Sequence, residues 1–470
     1  MNQPTSTRLI DRLKAWRSLW PSRDNDVRFQ APDLPDVDAE QVRKQMRACL
    51  EARGGEVTTR KWAARLGRAY LNLNPEGRLR FLTIMASEFS TDQAQVDTAI
   101  IRVQAATTPL ARMTAEQALR QTLESPRVKL LTQFNALPEG VKFLVELRAE
   151  MMSMLHTEPL LATLEADLRA LLVAWFDVGF LELIRITWHS PAALLEKIIA
   201  YEAVHAIKSW DDLKNRLDSD RRLYAFLHPR MPDEPLIFVQ VALLNGMADN
   251  VQAVLDEEAP VLDSGEADTA IFYSISNAQR GLDGISFGNF LIKRVVDSLS
   301  HEFPGLKTFA TLSPIPGFRA WLEKKLKEGE PGLLTAGEHR ILKTVTGIGA
   351  KGGLKALLAR EDWSGDEAVA VALKAPLTRL CARYLAVEKR PGSGSMPRAL
   401  DPVAHFHLSN GARMERLNWL ADQSPKGMHQ SAGLMINYLY KLSEIDRNHE
   451  AYNTQGKVAL SSQVRNWIKG

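Results

Sequence analysis

A glycine-containing stretch between Ser276 and Ser286 has residue types that are suited to binding phosphate. It follows a short β-branched and aromatic run at Ile271–Ile275, and from Phe287 onward apolar residues recur at helical spacing. A strand that enters a helix through a glycine turn leaves backbone N–H groups unpaired at the helix N-terminus, where the helix dipole favours an anion. The stretch is therefore a candidate phosphate-binding loop, although an ordinary turn between a strand and a helix fits the same residues.

The spacing of the glycines excludes two common phosphate-binding motifs. No Lys-Ser or Lys-Thr pair follows the glycines where a Walker loop requires it. No G-x-G-x-x-G precedes an acidic residue as it does in dinucleotide-binding folds. What remains is the looser pattern of Gln279–Gly284, which is typical of loops that hold the pyrophosphate of coenzyme A in acetyltransferase-like folds.

Three other side chains are candidates for acid–base chemistry: Ser313, His407 and Tyr440. Imidazole is the commonest general acid or base in enzymes. A phenol can donate a hydrogen bond to a carboxylate or hold an imidazole in one tautomer. Each residue also has an ordinary structural interpretation, because Ser before Pro often occupies a turn, and buried His and Tyr often form only structural hydrogen bonds.

Two other kinds of chemistry are weakly indicated. His405 and His407 alternate on a predicted strand at Ala404–Leu408 and would then face the same side, which raises the alternative of a metal site. Zinc needs a third ligand, and neither a Cys nor a nearby His or carboxylate is placed to supply one. A serine hydrolase is disfavoured because no G-x-S-x-G surrounds Ser313, and because Pro314 has no backbone N–H for an oxyanion hole.

Several long segments closely resemble malonyl-CoA decarboxylases, and they occur in the order found in that family. They are WHSPAALLEKIIAYEAVHAIKSWDDLKNRL from residue 188, DEPLIFVQVALL from 233, GLDGISFGNFLIKRVV from 281, TLSPIPGF from 311, HFHLSNGA from 405 and GLMINYLY from 433. The resemblance covers roughly residues 170–445, and the helical N-terminal half fits it more loosely.

The resemblance implies an α+β protein, with an N-terminal all-helical bundle followed by a catalytic domain of the GNAT (acetyltransferase-like) α/β fold. It also implies conversion of malonyl-CoA to acetyl-CoA and carbon dioxide without a metal or prosthetic group. Ser313 matches the family's catalytic Ser, a proton acceptor or carboxylate contact, and His407 matches its proton donor. The residues that match the malonyl-CoA-binding segment are Asp283, Gly284, Ile285, Ser286, Phe287, Gly288 and Asn289.

Two other functions fit the same coenzyme A site and remain open from the sequence. A CoA-dependent acyltransferase would need an acceptor pocket and a general base. A CoA-responsive regulatory or scaffold protein would need no catalytic residues, and the full motifs around Ser313 and His407 argue against it.

The composition is that of an ordinary globular protein. The 470 residues are 45% hydrophobic and 24% charged, which predicts two or three domains. A net charge of +3 gives no electrostatic case for nucleic acid. No apolar run approaches the length of a membrane span.

Cys49 and Cys381 are too few for a disulfide framework, so we expect a reducing compartment, the cytoplasm. The mildly basic, amphipathic residues 1–23 resemble either a transit peptide or a docking helix, and we favour the latter.

We expect two domains. Residues 1–174 form a helical domain for scaffolding or contacts within a homo-oligomer, a dimer or tetramer, and residues 175–470 form the catalytic domain. Predicted strands are Leu181–Trp188, Pro235–Leu243, Ile271–Ile275, Thr308–Leu312 and Ala404–Leu408. Predicted helical insertions lie near Gly332–Val345 and Glu367–Val387.

Overall fold

The chain divides into two compact units. The computed structural model describes residues 29–51, 55–176, 178–285, 290–347, 350–360, 362–390 and 397–469. The first unit contains the described residues up to Leu181, together with His228–Glu234 and the loop that begins at Gln279. The second unit contains the remaining described residues. None of the helices in the described ranges is long and apolar enough to cross a membrane.

Within the described residues, all the long elements of the first unit are helices. They are α1 (Asp36–Glu51), α2 (Gly55–Asn72), α3 (Pro75–Glu88), α4 (Gln93–Ala105), α5 (Pro109–Leu123), α6 (Pro126–Asn135), α7 (Gly140–Met154) and α8 (Leu161–Trp175). The side chains of Asn74 and Thr108 accept hydrogen bonds from the first turns of α3 and α5, each of which has a proline at its start. In the core, Tyr70 makes edge-to-face contacts with Phe81 and Phe143. The prediction of a helical N-terminal region is confirmed.

The second unit is built on a mixed sheet. Its strands are β1 (Glu182–Ile186), β2 (Arg221–Leu227), β3 (Ile237–Leu244), β4 (Thr269–Asn277), β5 (Thr308–Thr311), β6 (Ser313–Pro314), β9 (Arg413–Asn418) and β10 (Met435–Leu439), with β7 (Lys389–Arg390) and β8 (Arg398–Ala399) forming a separate pair. The spatial order is β1-β2-β3-β4-β5-β10-β6, and β9 also pairs with β10. All of these neighbours are antiparallel except β4 and β5, which are parallel.

Helices connect these strands. They are α9 (Ala192–Tyr201), α10 (Trp210–Asn215), α11 (Val251–Val254), α12 (Phe290–Glu302), α13 (Phe318–Glu328), α14 (Ala336–Thr346), α15 (Ala350–Leu358), α16 (Glu367–Ala386), α17 (Pro402–Ser409), α18 (Pro425–Ser431), α19 (Ile445–Gln455) and α20 (Ser462–Lys469). Both predicted helical insertions are confirmed by α14 and α16. With a helical region followed by a sheet covered by helices, the α+β prediction is confirmed.

The parallel strands β4 and β5 separate near Ser313. Their pairing runs from Thr269 opposite Thr308 to Phe272 opposite Thr311. Beyond that point β4 continues along β3 alone, whereas the chain after β5 pairs with β10, where Ser313 lies opposite Ile436. Thr311 and Ser313 therefore lie where β4 and β5 diverge.

A buried carboxylate fixes the part of β4 beyond this separation. Glu202, which follows α9, accepts hydrogen bonds from Ser274 Oγ at 2.8 Å and from Ser276 Oγ at 3.2 Å. Gln240 Nε2 of β3 donates to the other carboxylate oxygen. A buried charge is tolerated only when hydrogen bonds replace its water, so these contacts tie the end of α9 to β3 and β4.

The predicted strand at Ala404–Leu408 is wrong, because these residues belong to α17. Asp401 caps this helix: its carboxylate accepts from the Ala404 N–H at 2.9 Å, and a proline occupies the first helical position. This local start signal prevails over the apparent strand alternation. Successive helical residues are about 100° apart around the axis, so His405 and His407 do not face the same side.

The other four predicted strands are confirmed, with small shifts at their ends. They correspond to β1, β3, β4 and β5. The sequence did not predict β2, β9 or β10. The first two carry arginines at positions that interrupt an apolar strand pattern, for example Arg221 and Arg222 at the start of β2, although β2 is buried along its whole length.

Candidate active site

Ser313 and His407 are far apart in sequence and in direct contact in the fold. Ser313 is the first residue of β6, and His407 lies in the last turn of α17. The distance between Ser313 Oγ and His407 Nε2 is 3.0 Å. The structure thus brings together the two residues selected from the SPIPGF and HFHLSNGA segments.

Tyr440 contacts the other nitrogen of the same imidazole. Its Oη lies 2.8 Å from His407 Nδ1. Tyr440 follows β10 directly, and its backbone N–H donates to Phe309 O of β5 at 2.8 Å. All three predicted acid–base residues therefore meet in the second unit, with a hydroxyl group at each nitrogen of the ring.

The imidazole is enclosed by aromatic rings. The ring of Tyr438 stacks on it with a centroid distance of 4.4 Å and an interplanar angle of 24°. Phe406 contacts it edge-on. His407 is only 3% exposed, and this burial lowers its pKa to about 3. Burial likewise raises the pKa of the Tyr440 phenol well above its usual value. At neutral pH the site therefore holds a neutral imidazole and a neutral phenol.

Both ends of α17 are anchored, which fixes His407 in place. At the N-terminal end, Tyr384 Oη donates to the capping carboxylate of Asp401 at 3.2 Å. At the C-terminal end, His449 of α19 hydrogen-bonds through Nδ1 to Ser409 O at 2.5 Å. Because the carbonyls at a helix end lack partners within the helix, this contact from α19 satisfies one of them.

His405 takes no part in the contacts of His407. Its Nδ1 lies 2.9 Å from Tyr452 Oη of α19. The described residues contain no group of three or more His, Cys, Asp or Glu side chains arranged to hold a metal ion. Both nitrogens of His407 already have hydroxyl partners at hydrogen-bond distance.

The candidate phosphate loop is described only in part. Ser286, Phe287, Gly288 and Asn289 lie outside the described residues. Asp283, Gly284 and Ile285 belong to the first unit, and Gly284 has a positive φ of 74°. Arg148 of α7 donates to the carbonyls of Gly281 and Asp283 at 2.6 and 2.9 Å.

Gly281 lies directly against the backbone of a helix of the first unit. A Cβ built on Gly281 would lie 1.8 Å from Val145 O of α7, so only glycine fits. Arg169 of α8 also donates to the Gly284 carbonyl, at 2.8 Å. The described part of the loop is therefore held to the helices through its backbone carbonyls.

Sequence reasoning missed two contacts of the site. Thr311 Oγ1 accepts a hydrogen bond from Ser313 Oγ at 2.8 Å, and Tyr438 provides the stacked ring. Each stands two residues before a selected residue, Ser313 or Tyr440. Because side chains alternate between the faces of a strand, the two-residue spacing was the signal that could have found them.

A mixed α+β fold with a buried Ser-His-Tyr arrangement defines a candidate acid–base enzyme. Comparison with protein families is more specific. The sequence profile of the malonyl-CoA decarboxylase C-terminal domain matches residues 179–470. The profile of the malonyl-CoA decarboxylase N-terminal domain matches residues 89–176. The chain belongs to the malonyl-CoA decarboxylase family.

Individual relatives agree with this assignment. Mitochondrial malonyl-CoA decarboxylase of Rattus norvegicus is 40% identical over 403 residues, which are 82% of this chain and 81% of the rat protein. The Anser anser anser enzyme is 40% identical over 370 residues, 76% of this chain and 72% of its own. The crystal structure of malonyl-CoA decarboxylase from Rhodopseudomonas palustris is 41% identical, with a TM-score of 0.83, and the match covers 91% of this chain and 99% of that one. The Agrobacterium vitis structure has the same identity and coverage and a TM-score of 0.81.

The low pKa of His407 predicts an acid-dependent loss of stability. An unfolded histidine has a pKa of about 6.5, whereas the folded value is about 3. Between these values the unfolded chain binds a proton that the folded chain does not, so stability falls as the pH falls. As the pH falls from 6 to 4, we expect the wild type to lose about 1.4 kcal/mol of unfolding free energy per pH unit relative to His407→Gln. Urea titrations at several pH values measure it, and a constant difference would contradict a neutral buried imidazole.

Proposed function

We propose that this protein is a malonyl-CoA decarboxylase, which converts malonyl-CoA to acetyl-CoA and carbon dioxide. Membership of the family supports the overall reaction. The observation that supports the mechanism is the buried contact of Ser313 and Tyr440 with the two nitrogens of His407. Imidazole is the commonest group for proton transfer in enzymes, and a phenol can also take part in it.

The reaction defines what the site must do. When the bond between the carboxylate and the α carbon breaks, its electron pair moves into the thioester and forms an enolate, and carbon dioxide leaves. The α carbon then takes one proton, which solvent ultimately replaces. The protein must hold the carboxylate out of the plane of the thioester, stabilise the enolate oxygen and supply the proton.

His407 is the proposed proton donor. An enolate is a strong base, so a neutral imidazole N–H is acidic enough to protonate it in a site that excludes water. Ser313 is the proposed proton acceptor, and Tyr440 is the proposed group that supports the far side of the imidazole. Because the ring is fixed by contacts at both nitrogens and on one face, little reorganisation accompanies proton transfer.

The segment Asp283–Asn289 is proposed to contact malonyl-CoA mainly through its backbone. In its described part, arginines of α7 and α8 donate to the carbonyls of Asp283 and Gly284, and Arg148 also donates to the carbonyl of Gly281, just before the segment. Backbone N–H groups at the start of a helix bind phosphate oxygens well. For phosphate binding, the side chains of such a segment matter less than its backbone conformation. That conformation depends on Gly284.

We propose a cytoplasmic homo-oligomer, a dimer or tetramer. Cys49 and Cys381 are both free and buried, which fits a reducing compartment. Ile101, Leu110 and Met113, on α4 and α5, are well exposed and apolar, which suits contact with another subunit. Two of the relatives carry a mitochondrial name, so related enzymes also occur in that organelle.

The catalytic assignment predicts a large loss of turnover without loss of fold. His407→Gln should lower kcat about 1,000-fold because the proton donor is lost, and Ser313→Ala should lower it to a similar or smaller extent. His405→Gln, a matched change on the same helix, should retain kcat within about threefold. Chromatographic measurement of acetyl-CoA formed from malonyl-CoA gives these rates. Wild-type turnover in both His407→Gln and Ser313→Ala would remove the site from the reaction.

The loop assignment predicts a loss of coenzyme A affinity from Gly284→Val. The positive φ of Gly284 opposes a β-branched side chain, so the loop backbone should shift and its N–H groups should leave the phosphates. Gly332→Val is the matched control, since Gly332 has a φ of 70° and no atom within 4 Å of an added Cβ. Calorimetric titration should show about 10-fold weaker binding of coenzyme A for Gly284→Val alone. Equal affinity in the two variants would place the ligand elsewhere.

The proposed reaction uses no metal ion or prosthetic group. Hydroxyl and imidazole hydrogen bonds in a buried site are sufficient to stabilise an enolate, and both His407 nitrogens are engaged with hydroxyls. We expect prolonged treatment with EDTA, followed by assay in metal-free buffer, to leave kcat unchanged. A loss of activity that zinc or another divalent ion restores would instead make His407 a ligand.

A further inference from the structure

The buried hydroxyl oxygen of Thr311 has two hydrogen-bond donors, one of which is Ser313. Thr311 is the last residue of β5 and is fully buried. Its Oγ1 accepts from the backbone N–H of Tyr438 at 3.1 Å and from Ser313 Oγ at 2.8 Å. In the second of these bonds the geometry at the two oxygens makes Ser313 the donor and Thr311 the acceptor, so the Thr311 oxygen accepts at both contacts.

The single proton of the Ser313 hydroxyl is therefore committed to Thr311. A hydroxyl has one proton to donate and can accept at its remaining lone pairs. At its contact with His407 Nε2, 3.0 Å away, Ser313 must then be the acceptor. Since the imidazole is neutral and carries one N–H, that proton sits on Nε2, and Nδ1 accepts from Tyr440 Oη–H at 2.8 Å.

We propose that Thr311 is a positioning residue that selects the Nε2–H tautomer of His407. The hydrogen bonds run in one direction, from Tyr440 to His407, from His407 to Ser313, and from Ser313 to Thr311. The choice of tautomer does not depend on the proposed decarboxylase function, and only its catalytic consequence rests on that function. In this tautomer the imidazole presents a proton on the side of Ser313, as a proton donor must, whereas the reverse order would make His407 a base toward Ser313.

The carbonyl of Thr311 is held as firmly as its side chain. The buried Asn437 of β10 donates through Nδ2 to Thr311 O at 2.7 Å, and its Oδ1 accepts from Asn418 Nδ2 at 2.8 Å. Thr311 also pairs with Phe272 in the parallel ladder. The acceptor that orients Ser313 is thus part of the rigid sheet and not of a mobile loop.

Two variants of Thr311 separate the hydroxyl from the volume of the side chain. Thr311→Val has nearly the same shape and lacks the acceptor, so Ser313 becomes free to donate to Nε2 and the Nδ1–H tautomer should appear. Thr311→Ser keeps the acceptor oxygen and should keep His407 in the Nε2–H tautomer of the wild type. Thr308→Val makes the same chemical change at the other end of β5 and controls for its general effect on the strand.

The first measurement is the tautomer itself, by 15N NMR of protein labelled in histidine, without any substrate. The His407 signals are assigned by their absence from His407→Gln. We expect Nε2–H in the wild type and in Thr311→Ser, and a large Nδ1–H population in Thr311→Val. Nδ1–H in the wild type would overturn the proposal even if Thr311→Val failed to fold, and this result is independent of whether the protein decarboxylates malonyl-CoA.

The second measurement is turnover of malonyl-CoA. Thr311→Val should lower kcat by about 10- to 100-fold, because only a fraction of the enzyme keeps its donor proton in place, and should leave KM within about threefold. Thr311→Ser and Thr308→Val should retain most of the wild-type kcat. A folded Thr311→Val that keeps the Nε2–H tautomer and full kcat would contradict the role of Thr311.

Discussion

The burial of a neutral imidazole between two hydroxyl groups is the interaction on which the rest of this site depends. Unpaired polar groups are costly away from water, and His407 is almost completely buried. Ser313 and Tyr440 satisfy its two nitrogens, and Tyr438 covers one face. Burial lowers the pKa of the imidazole and so favours its neutral form. The site is therefore suited to proton transfer from a neutral donor.

The sheet and α17 contribute different parts of this arrangement. β10 lies between β5 and β6, so residues from three neighbouring strands place hydroxyls and rings around one point. The helix supplies His407 and the edge-on ring of Phe406, and it is anchored at Asp401 and at Ser409. All these contacts lie within the second unit. The described part of the candidate phosphate loop belongs to the first unit and has its own anchors, Arg148 and Arg169.

The features that local signals encode were predictable from the sequence. Asn74 and Thr108 stand directly before prolines and mark helix starts that the structure contains. The same kind of signal, Asp401 before a proline, begins α17, yet the alternation around His405 and His407 was interpreted as a strand. Alternation over only five residues is weak evidence for a strand, and the helix cap at Asp401 is the stronger signal. β2 was missed because its first residues, Arg221 and Arg222, are buried through hydrogen bonds to Val254 O and to the Glu302 carboxylate, partners distant in sequence that no local pattern reveals.

The composition of the site was less predictable than the fold. Ser313 and His407 are 94 residues apart, and only the resemblance to a family connected them before the structure did. Thr311 and the stacking of Tyr438 depend on the register of β5 and β10, which is a tertiary property. The roles of Ser286–Asn289 stay predictions, since these residues lie outside the described part of the chain.

A crystal structure of this protein with a malonyl thioester analogue that cannot lose carbon dioxide tests the catalytic roles of Ser313 and His407 most directly. We predict that the carbon corresponding to the α carbon lies within about 3.5 Å of the Ser313–His407 contact, with the carboxylate out of the thioester plane and no water beside the imidazole. An analogue bound in full with its α carbon beyond the reach of both Ser313 Oγ and His407 Nε2 would contradict their part in the reaction.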